Sequence, residues 1–449
     1  MLSELERLDE LIDQHHVPGA AVAVLHDGQL HEAAAGVLST STRVRATTDS
    51  VWQIGSVTKL VTAALVMQLV DDGLVSLDDP IGTHLEGFAV ADAGFTASIT
   101  VRQLLTHTSG IAADVADFGR GDDCVARYVE ALRDSPLLFP PGTGVSYCNA
   151  GFIVLGRLVE VVRQVVWDDA VRRRVAERLN LTRFVTLPEE AIVHRASAGH
   201  SPGTLEAQAV WGLPRASGPA GAVVASAADT ARFAAELLDG GRLLSSESAR
   251  QMRSIQVPAS PGSRGARGLG WVMEDWGGVE VAQHDGGTLG QLAYLRTVPA
   301  TGTVFVLLTN GPSRSLYRAL AAPILDALTG AVIPADAEPA GRPPPPEMAR
   351  PCCGWYRVGA GPVEVDLRDG ELCGRWHEGD APPPEEAWVP LHWSADHRFL
   401  VPEVRNGSWA EIVFTALDEQ GMRTDRLMIA GRAAPRIESP TSPWPIKSS

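Results

Sequence analysis

Apolar positions recur along this chain with two different periods, and the change from one to the other divides it. In the stretch 51–73, VWQIGSVTKLVTAALVMQLVDDG, the residues Val57, Leu60, Val61, Ala64, Leu65 and Leu69 fall at helical spacing. They predict a buried amphipathic helix stopped by Asp71, Asp72 and Gly73. The same period predicts helices over 3–15, 99–111 (closed by Gly110), 123–133, 168–178 and 315–330, and a buried helix after YCNAG. Ser226 and Asp229 are spaced as a capping pair before a further amphipathic run. Residues 20–25 and 30–35 around Asp27-Gly28 read as a β-hairpin with a DG turn. After Gly268 the pattern changes to strands again: GLGWVME, VEVAQH, QLAYLRTVP and TVFVLLTN. A helix, a hairpin, many helices, several strands and a closing helix imply an α+β fold, one antiparallel sheet flanked by helices.

Residues 334–351, PADAEPAGRPPPPEMARP, break both patterns and read as a stiff proline-rich linker. Beyond it come VEVDLR, a DG turn, ELCGRW, WVPLHW, RFLVPEV, AEIVFTAL and DRLMIAG. Short strands at regular spacing predict a separate antiparallel β-barrel or sandwich. The expected organisation is therefore a main α+β domain over 1–333, the linker 334–351, a barrel over 352–438 and a flexible or draped tail over 439–449.

Composition narrows the functions. With 449 residues, 45% hydrophobic and 20% charged, the chain is long enough for a large core and ordinary for a globular protein. A formal charge of −16 argues against nucleic acid and anionic membranes as partners. The start, MLSELERLDELIDQHH, lacks the basic-then-apolar pattern of a secretory leader, and no apolar run approaches the about eighteen residues of a membrane helix. The five cysteines are odd in number and carry no metal-ligand spacing, with Cys352 and Cys353 adjacent. The expectation is free thiols in a reducing cytoplasm, with no cofactor and no metal.

The chemistry centres on Ser56. A serine at a helix start lies at the positive end of the dipole, where free N–H groups favour a developing negative charge. Lys59 lies one turn on, at i+3, and a desolvated lysine amine loses basicity enough to act as a base toward the hydroxyl. The same spacing also suits Ser56 as an ordinary N-cap. Tyr147-Cys148-Asn149 stands in a loop before a helix. There the tyrosine hydroxyl can shuttle a proton if the lysine charge lowers its pKa, and Asn149 can hold Lys59. His284-Asp285-Gly286-Gly287 ends the strand VEVAQ and opens a loop, where glycines allow backbone to approach a ligand and one N–H can pair with that of Ser56 as an oxyanion hole. His107, in LLTHTSG, reads as structural.

SVTK, YCN and HDG in this order resemble the serine β-lactamase and penicillin-binding-protein superfamily. WQIGSVTK, LVDDGLVSLDDPI, ITVRQLLTHTSGI, PPGTGVSYCNAGFIVLG and HDGGTLG are similar to its class C, D-aminopeptidase and family VIII esterase branch. The resemblance spans about residues 10–330. It implies Ser56 as acylated nucleophile, Lys59 and Tyr147 as acid–base pair and Asn149 as positioning residue. His284 takes the place of a lysine, with Gly286 and Gly287 on the oxyanion side. It also implies a lipocalin-like barrel at the C-terminus. With His284 and Asp285 where relatives present lysine and threonine, poor recognition of a penicillin-type carboxylate is expected. Cys148, where serine is commoner, reads as a neutral buried hydrophobe. The leading expectation is a hydrolase of ester, amide or peptide bonds acting on a small-molecule or peptide acyl substrate, as a monomer or oligomer. The alternative is an acyltransferase or peptide-cyclising thioesterase. A third reading, a non-catalytic ligand-binding or sensor protein, would predict damaged motifs, and here they are intact.

Overall fold

The computed structural model describes residues 3–259, 265–358, 361–377, 387–403, 408–417 and 423–441. A seven-stranded antiparallel sheet forms its centre. Its strands are β1 (Gly19–His26), β2 (Gln29–Gly36), β3 (Ala266–Arg267), β4 (Val272–Asp275), β5 (Glu280–Gly287), β6 (Leu292–Val298) and β7 (Thr303–Thr309), in the order β2-β1-β7-β6-β5-β4-β3. The β1–β2 hairpin turns at Asp27 and Gly28, both with positive φ, as the DG signal requires. Period-two alternation divides the strands between two cores. Ala21, Ala23, Ala282, Leu295, Val304 and Val306 join a large cluster on one face, and Ala20, Val22, Val281, Tyr294, Phe305 and Leu307 face the other way.

The first face is covered by α1 (Thr58–Asp71), α2 (Asn149–Arg163) and α3 (Ala227–Asp239), the second by α4 (Arg314–Thr329) and the short N-terminal helices Ser3–Glu6 and Leu8–Gln14. α1 forms where the apolar spacing places it, but it is not amphipathic. Every residue from Thr58 to Leu69 is buried, because the sheet and neighbouring helices enclose it on all sides. Of its polar members, Thr62 donates to the Pro219 carbonyl at 2.7 Å and Gln68 Nε2 to the Arg174 carbonyl at 3.3 Å, while Gln68 Oε1 has no partner among the described residues. The helix expected over 99–111 is confined to Val101–Leu105, capped by Thr100 and Gln103. His107, at φ +61°, breaks it before Gly110 is reached. Ser226 caps α3 as expected, but Asp229 turns its carboxylate to the Arg183 N–H at 2.7 Å instead of closing the capping pair.

The C-terminal strands form a nine-stranded antiparallel near-barrel. They are β8 (Gly354–Val358), β9 (Gly361–Arg368), β10 (Glu371–Trp376), β11 (Val389–Pro390), β12 (His392–Ala395), β13 (Arg398–Glu403), β14 (Ser408–Leu417), β15 (Thr424–Ile429) and β16 (Arg432–Ile437). The run WVPLHW, which reads as one strand, is two, β11 and β12, at opposite ends of the sheet with Leu391 between them. Tyr356, Val363, Val365, Phe399, Ile412, Phe414 and Leu427 give this unit a core of its own. The proline-rich segment before it is pinned at several points. Asp336 pairs with Arg314 at 2.5 Å, and the Ala340 N–H donates to the Trp393 carbonyl at 2.7 Å. Of the expected tail, residues 442–449 lie outside the described residues.

The near-barrel docks on the main fold through the β15–β16 hairpin. Leu138 and Phe139 pack with Val413, Met428 and Ala433 in an apolar seam. At the hairpin tip the Tyr147 N–H donates to the Gly431 carbonyl at 2.9 Å, and the Ala433 N–H donates to Ser146 Oγ at 3.0 Å.

Candidate active site

Ser56 lies in a 3₁₀ turn, Gly55–Val57, that runs straight into α1 and puts its hydroxyl at the helix entrance. One turn on, Lys59 is fully buried, and its Nζ donates to Ser56 Oγ at 3.2 Å, to Asn149 Oδ1 at 2.7 Å and to the Ala220 carbonyl at 2.7 Å. Three oxygen acceptors in the apolar interior fix the amine's direction. Burial drives its pKa well below the usual lysine value and the charge of Arg432 adds to this, while Asp114 and Cys148 oppose it. Asn149 is the first residue of α2, and its side chain spans the site, with Nδ2 donating to Asp114 Oδ1 at 2.6 Å.

Tyr147 precedes the helix cap and shares a hydrogen bond with Ser56. Its ring stands 4.8 Å from Lys59 Nζ. Burial pushes its hydroxyl up to about 12, and the Ser56 bond and the Arg432 and Arg267 charges only moderate this. The expectation that lysine would lower it is thus corrected: desolvation wins, the same burial disfavours the charged form of Lys59, and the phenol stays protonated at neutral pH. Cys148 is more than filler. It is the N-cap of α2, its Sγ accepting from the Gly151 N–H at 3.3 Å and donating to the Ile111 carbonyl at 3.3 Å. His107 holds the other side of this loop: Nδ1 accepts from the Cys148 N–H at 3.1 Å and its carbonyl accepts from the Ser146 N–H at 2.9 Å.

His284, Asp285, Gly286 and Gly287 do not open a loop; all four belong to β5, paired with Leu295, Tyr294, Ala293 and Leu292 of β6. Strand alternation therefore turns neighbouring side chains to opposite faces. His284 points to the Ser56 side, its ring 6.5 Å from that of Tyr147. Its Nδ1 lies 2.8 Å from the Asp285 carbonyl, so Nδ1 carries the proton and Nε2 is left as an acceptor. Burial, reinforced by Lys59, lowers its pKa to about 4, and the imidazole is neutral at pH 7. Asp285 points the other way, to a 2.6 Å ion pair with the buried Arg296. The expected repulsion of a substrate carboxylate by Asp285 therefore has no basis in the geometry.

Gly286 and Gly287 let β5 press against the turn that holds Ser56. A Cβ on Gly286 would lie 1.9 Å from the Ile54 carbonyl oxygen, and one on Gly55 would lie 2.6 Å from the Gly287 nitrogen. Backbone of the strand and backbone of the Ser56 turn thus meet without side chains between them, the arrangement a two-N–H anion cradle needs.

Three residues of the site were missed by sequence reasoning. Asp114 ties Asn149 to Arg432, which reaches in from the near-barrel, forms a 2.8 Å ion pair with Asp114 and lies 5.4 Å from the Tyr147 ring. Arg267, in β3, is 6% exposed, yet its Nε has no hydrogen-bond partner among the described residues. Its guanidinium lies near the Gly431 tip and within electrostatic reach of Tyr147 and His284. Neither arginine has a local motif to announce it. Among the described residues no cluster suited to a metal ion is present, and no helix is long and apolar enough to cross a membrane.

Together these groups offer a hydroxyl, an amine whose basicity is lowered by burial, a protonated phenol and an anion cradle within one small space. Comparison with known proteins shows the family. Penicillin-binding protein 4 of Amycolatopsis lactamdurans is 47% identical over 375 residues, 80% of this chain and 98% of that one. The crystal structure of SurE superposes with a TM-score of 0.78 at 27% identity, covering 97% of this chain and 98% of that one, and SurE has also been solved with D-Leu. The D-amino acid amidase of Ochrobactrum anthropi, solved with L-phenylalanine, shares the fold of the main unit, with a TM-score of 0.58 at 23% identity over 68% of this chain and 91% of that one. The Beta-lactamase family model matches residues 6–329, most of the chain, and the protein belongs to that family of serine hydrolases and penicillin-binding-protein-like enzymes.

Proposed function

We propose that the protein forms an acyl-enzyme on Ser56 with an ester, amide or peptide substrate and passes the acyl group to water or to an amine. The observation that carries this reading is the clamped Lys59 amine, desolvated and 3.2 Å from Ser56 Oγ. Neutral Lys59 takes the hydroxyl proton as Oγ attacks the carbonyl carbon. The carbonyl oxygen becomes an oxyanion held by the N–H groups at Ser56 and Gly287. Protonated Tyr147 gives its proton to the leaving group as the scissile bond breaks, and is recharged from Lys59. Deacylation reverses the roles, with water or an amine in place of the leaving group. His284, neutral with Nε2 free to accept, orients a donor on the substrate. Arg267, whose Nε has no partner among the described residues, suits a substrate carboxylate.

Acyl transfer is favoured as a second reading by one finding. The likeness to SurE, which has been solved holding D-Leu, extends over the near-barrel as well as the main unit. The substrate class that follows is an acyl donor or acceptor containing a D-amino acid residue. The test is intact-protein mass spectrometry after an activated N-acyl-D-aminoacyl ester, with and without D-Leu as acceptor. One acyl adduct on the wild type and none on Ser56→Ala is the expected result; equal labelling of both would remove Ser56 from the chemistry. Products from the D-Leu reaction then divide hydrolysis from transfer.

A further inference from the structure

The near-barrel does more than lie beside the site. From Arg432 at the start of β16 a continuous polar chain runs to the base. The Arg432 guanidinium pairs with Asp114 Oδ2 at 2.8 Å, Asp114 Oδ1 accepts from Asn149 Nδ2 at 2.6 Å, and Asn149 Oδ1 accepts from Lys59 Nζ at 2.7 Å. An amide has one acceptor and one donor end, so holding its NH₂ on Asp114 commits its oxygen to Lys59. Without Asp114 the amide is free to rotate and present NH₂ to the amine, two donors face to face. Asp114 lies in the segment after His107 and Gly110, which has no regular secondary structure to fix it. Its backbone is held by Tyr128, whose O–H donates to the Asp114 carbonyl at 2.5 Å, and its carboxylate is paired with Arg432, itself held because the hairpin tip is tied to Tyr147 and Ser146 by two backbone-supported bonds.

We propose that Arg432 and Asp114 are positioning residues, a charge-paired brace by which the near-barrel hairpin sets the orientation of Asn149 and the electrostatics of Lys59. This rests on the reading of Lys59 as the base. The pair is partly exposed, with Arg432 at 36% and Asp114 at 50%, so its effect is a tuning one. Its two charges act on Lys59 with opposite sign: Arg432 favours the neutral amine and Asp114 the protonated one. The other polar or charged groups facing the amine are Tyr147 and Cys148 before α2, His284 on β5, and the more distant His107 and Arg267. All of these stay in place in the variants below.

The opposite signs give a test that a merely structural role would not pass. The acylation rate of Ser56 by a p-nitrophenyl ester, followed before the steady state across pH, has an acid limb that reports protonation of the base. In Arg432→Met that limb moves to higher pH, and acylation at neutral pH slows roughly three- to tenfold. In Asp114→Asn, which keeps an oxygen for the Asn149 amide, the limb moves to lower pH. The double variant returns toward the wild-type position, and Arg432→Lys restores it. Limbs that stay still in all variants, or that move the same way in both single variants, overturn the brace. Failure of the underlying reading looks different: no Ser56 adduct forms on the wild-type protein at any pH.

Discussion

Adding one methyl group at Gly286 tests the anion cradle without touching any side chain that does chemistry. In Gly286→Ala the new Cβ falls 1.9 Å from the Ile54 carbonyl oxygen and 3.1 Å from the Ser56 nitrogen. Both neighbours are backbone, so relief comes only from separating β5 from the Ser56 turn, by more than about 1 Å, since ordinary contact begins near 3.4 Å. Overpacking of this kind costs about 1–3 kcal/mol of stability. For a unit of this size that is a fall in Tm of several degrees, at about 2–4 °C per kcal/mol. The catalytic loss is larger. Misplacing reacting groups by about 1 Å costs on the order of 10² in rate, and losing one oxyanion donor about 10² to 10³. Gly287→Ala is the matched control. Its Cβ would meet only Leu292 Cδ2, at 3.5 Å, an ordinary contact, and its N–H is retained. The expected result is kcat/KM for an activated ester down about 10²- to 10³-fold in Gly286→Ala and within about threefold of wild type in Gly287→Ala. Thermal unfolding monitored by circular dichroism separates the stability loss from the rate loss. Equal activity of the two folded variants would refute the close approach as the source of catalysis.

Two further outcomes follow from buried charge. His284 has a folded pKa of about 4 against an ordinary 6.5, so its neutral form stabilises the fold fully above pH 6.5, and that contribution is lost as pH falls through 4. The amount is about 3 kcal/mol at most, and His284→Gln should flatten the urea-unfolding free energy between about pH 6.5 and 4; an unchanged slope would mean that the imidazole is not buried neutral. For Arg267→Met, kcat/KM should fall about 10- to 100-fold for an acyl substrate carrying a free carboxylate and little for its carboxamide. The rise should lie in KM, and equal losses on both substrates would give Arg267 a packing role instead.

What was legible in the chain was what short-range pattern encodes. Ser56 and Lys59 share one helical turn, Tyr147 and Asn149 flank one helix cap, and the central strands stand out as short apolar runs, so their placement was readable from spacing, while their joint role came from the family resemblance. Burial of α1 on every side was not, because a helix enclosed by neighbours needs no polar face, and enclosure is a tertiary fact. His284 to Gly287 read as a loop because two glycines usually end a strand. Here the glycines are needed inside the strand, where backbone meets backbone, and that single difference reversed the reading of Asp285. The arginines escaped entirely. Arg432 follows an ordinary hairpin turn and Arg267 an undistinguished stretch, and the distance along the chain to Asp114 and Tyr147 carries no periodic signal. A site assembled from several folded units is written in the sequence only at the positions where one unit's local geometry and the chemistry coincide. The residues that adjust the chemistry from a neighbouring unit obey no such constraint, so they are free to differ among proteins that share the same serine, lysine and tyrosine. That is where differences in acyl acceptor and substrate among such proteins have room to arise, and Arg267 and Arg432 are the positions in this chain at which to measure them.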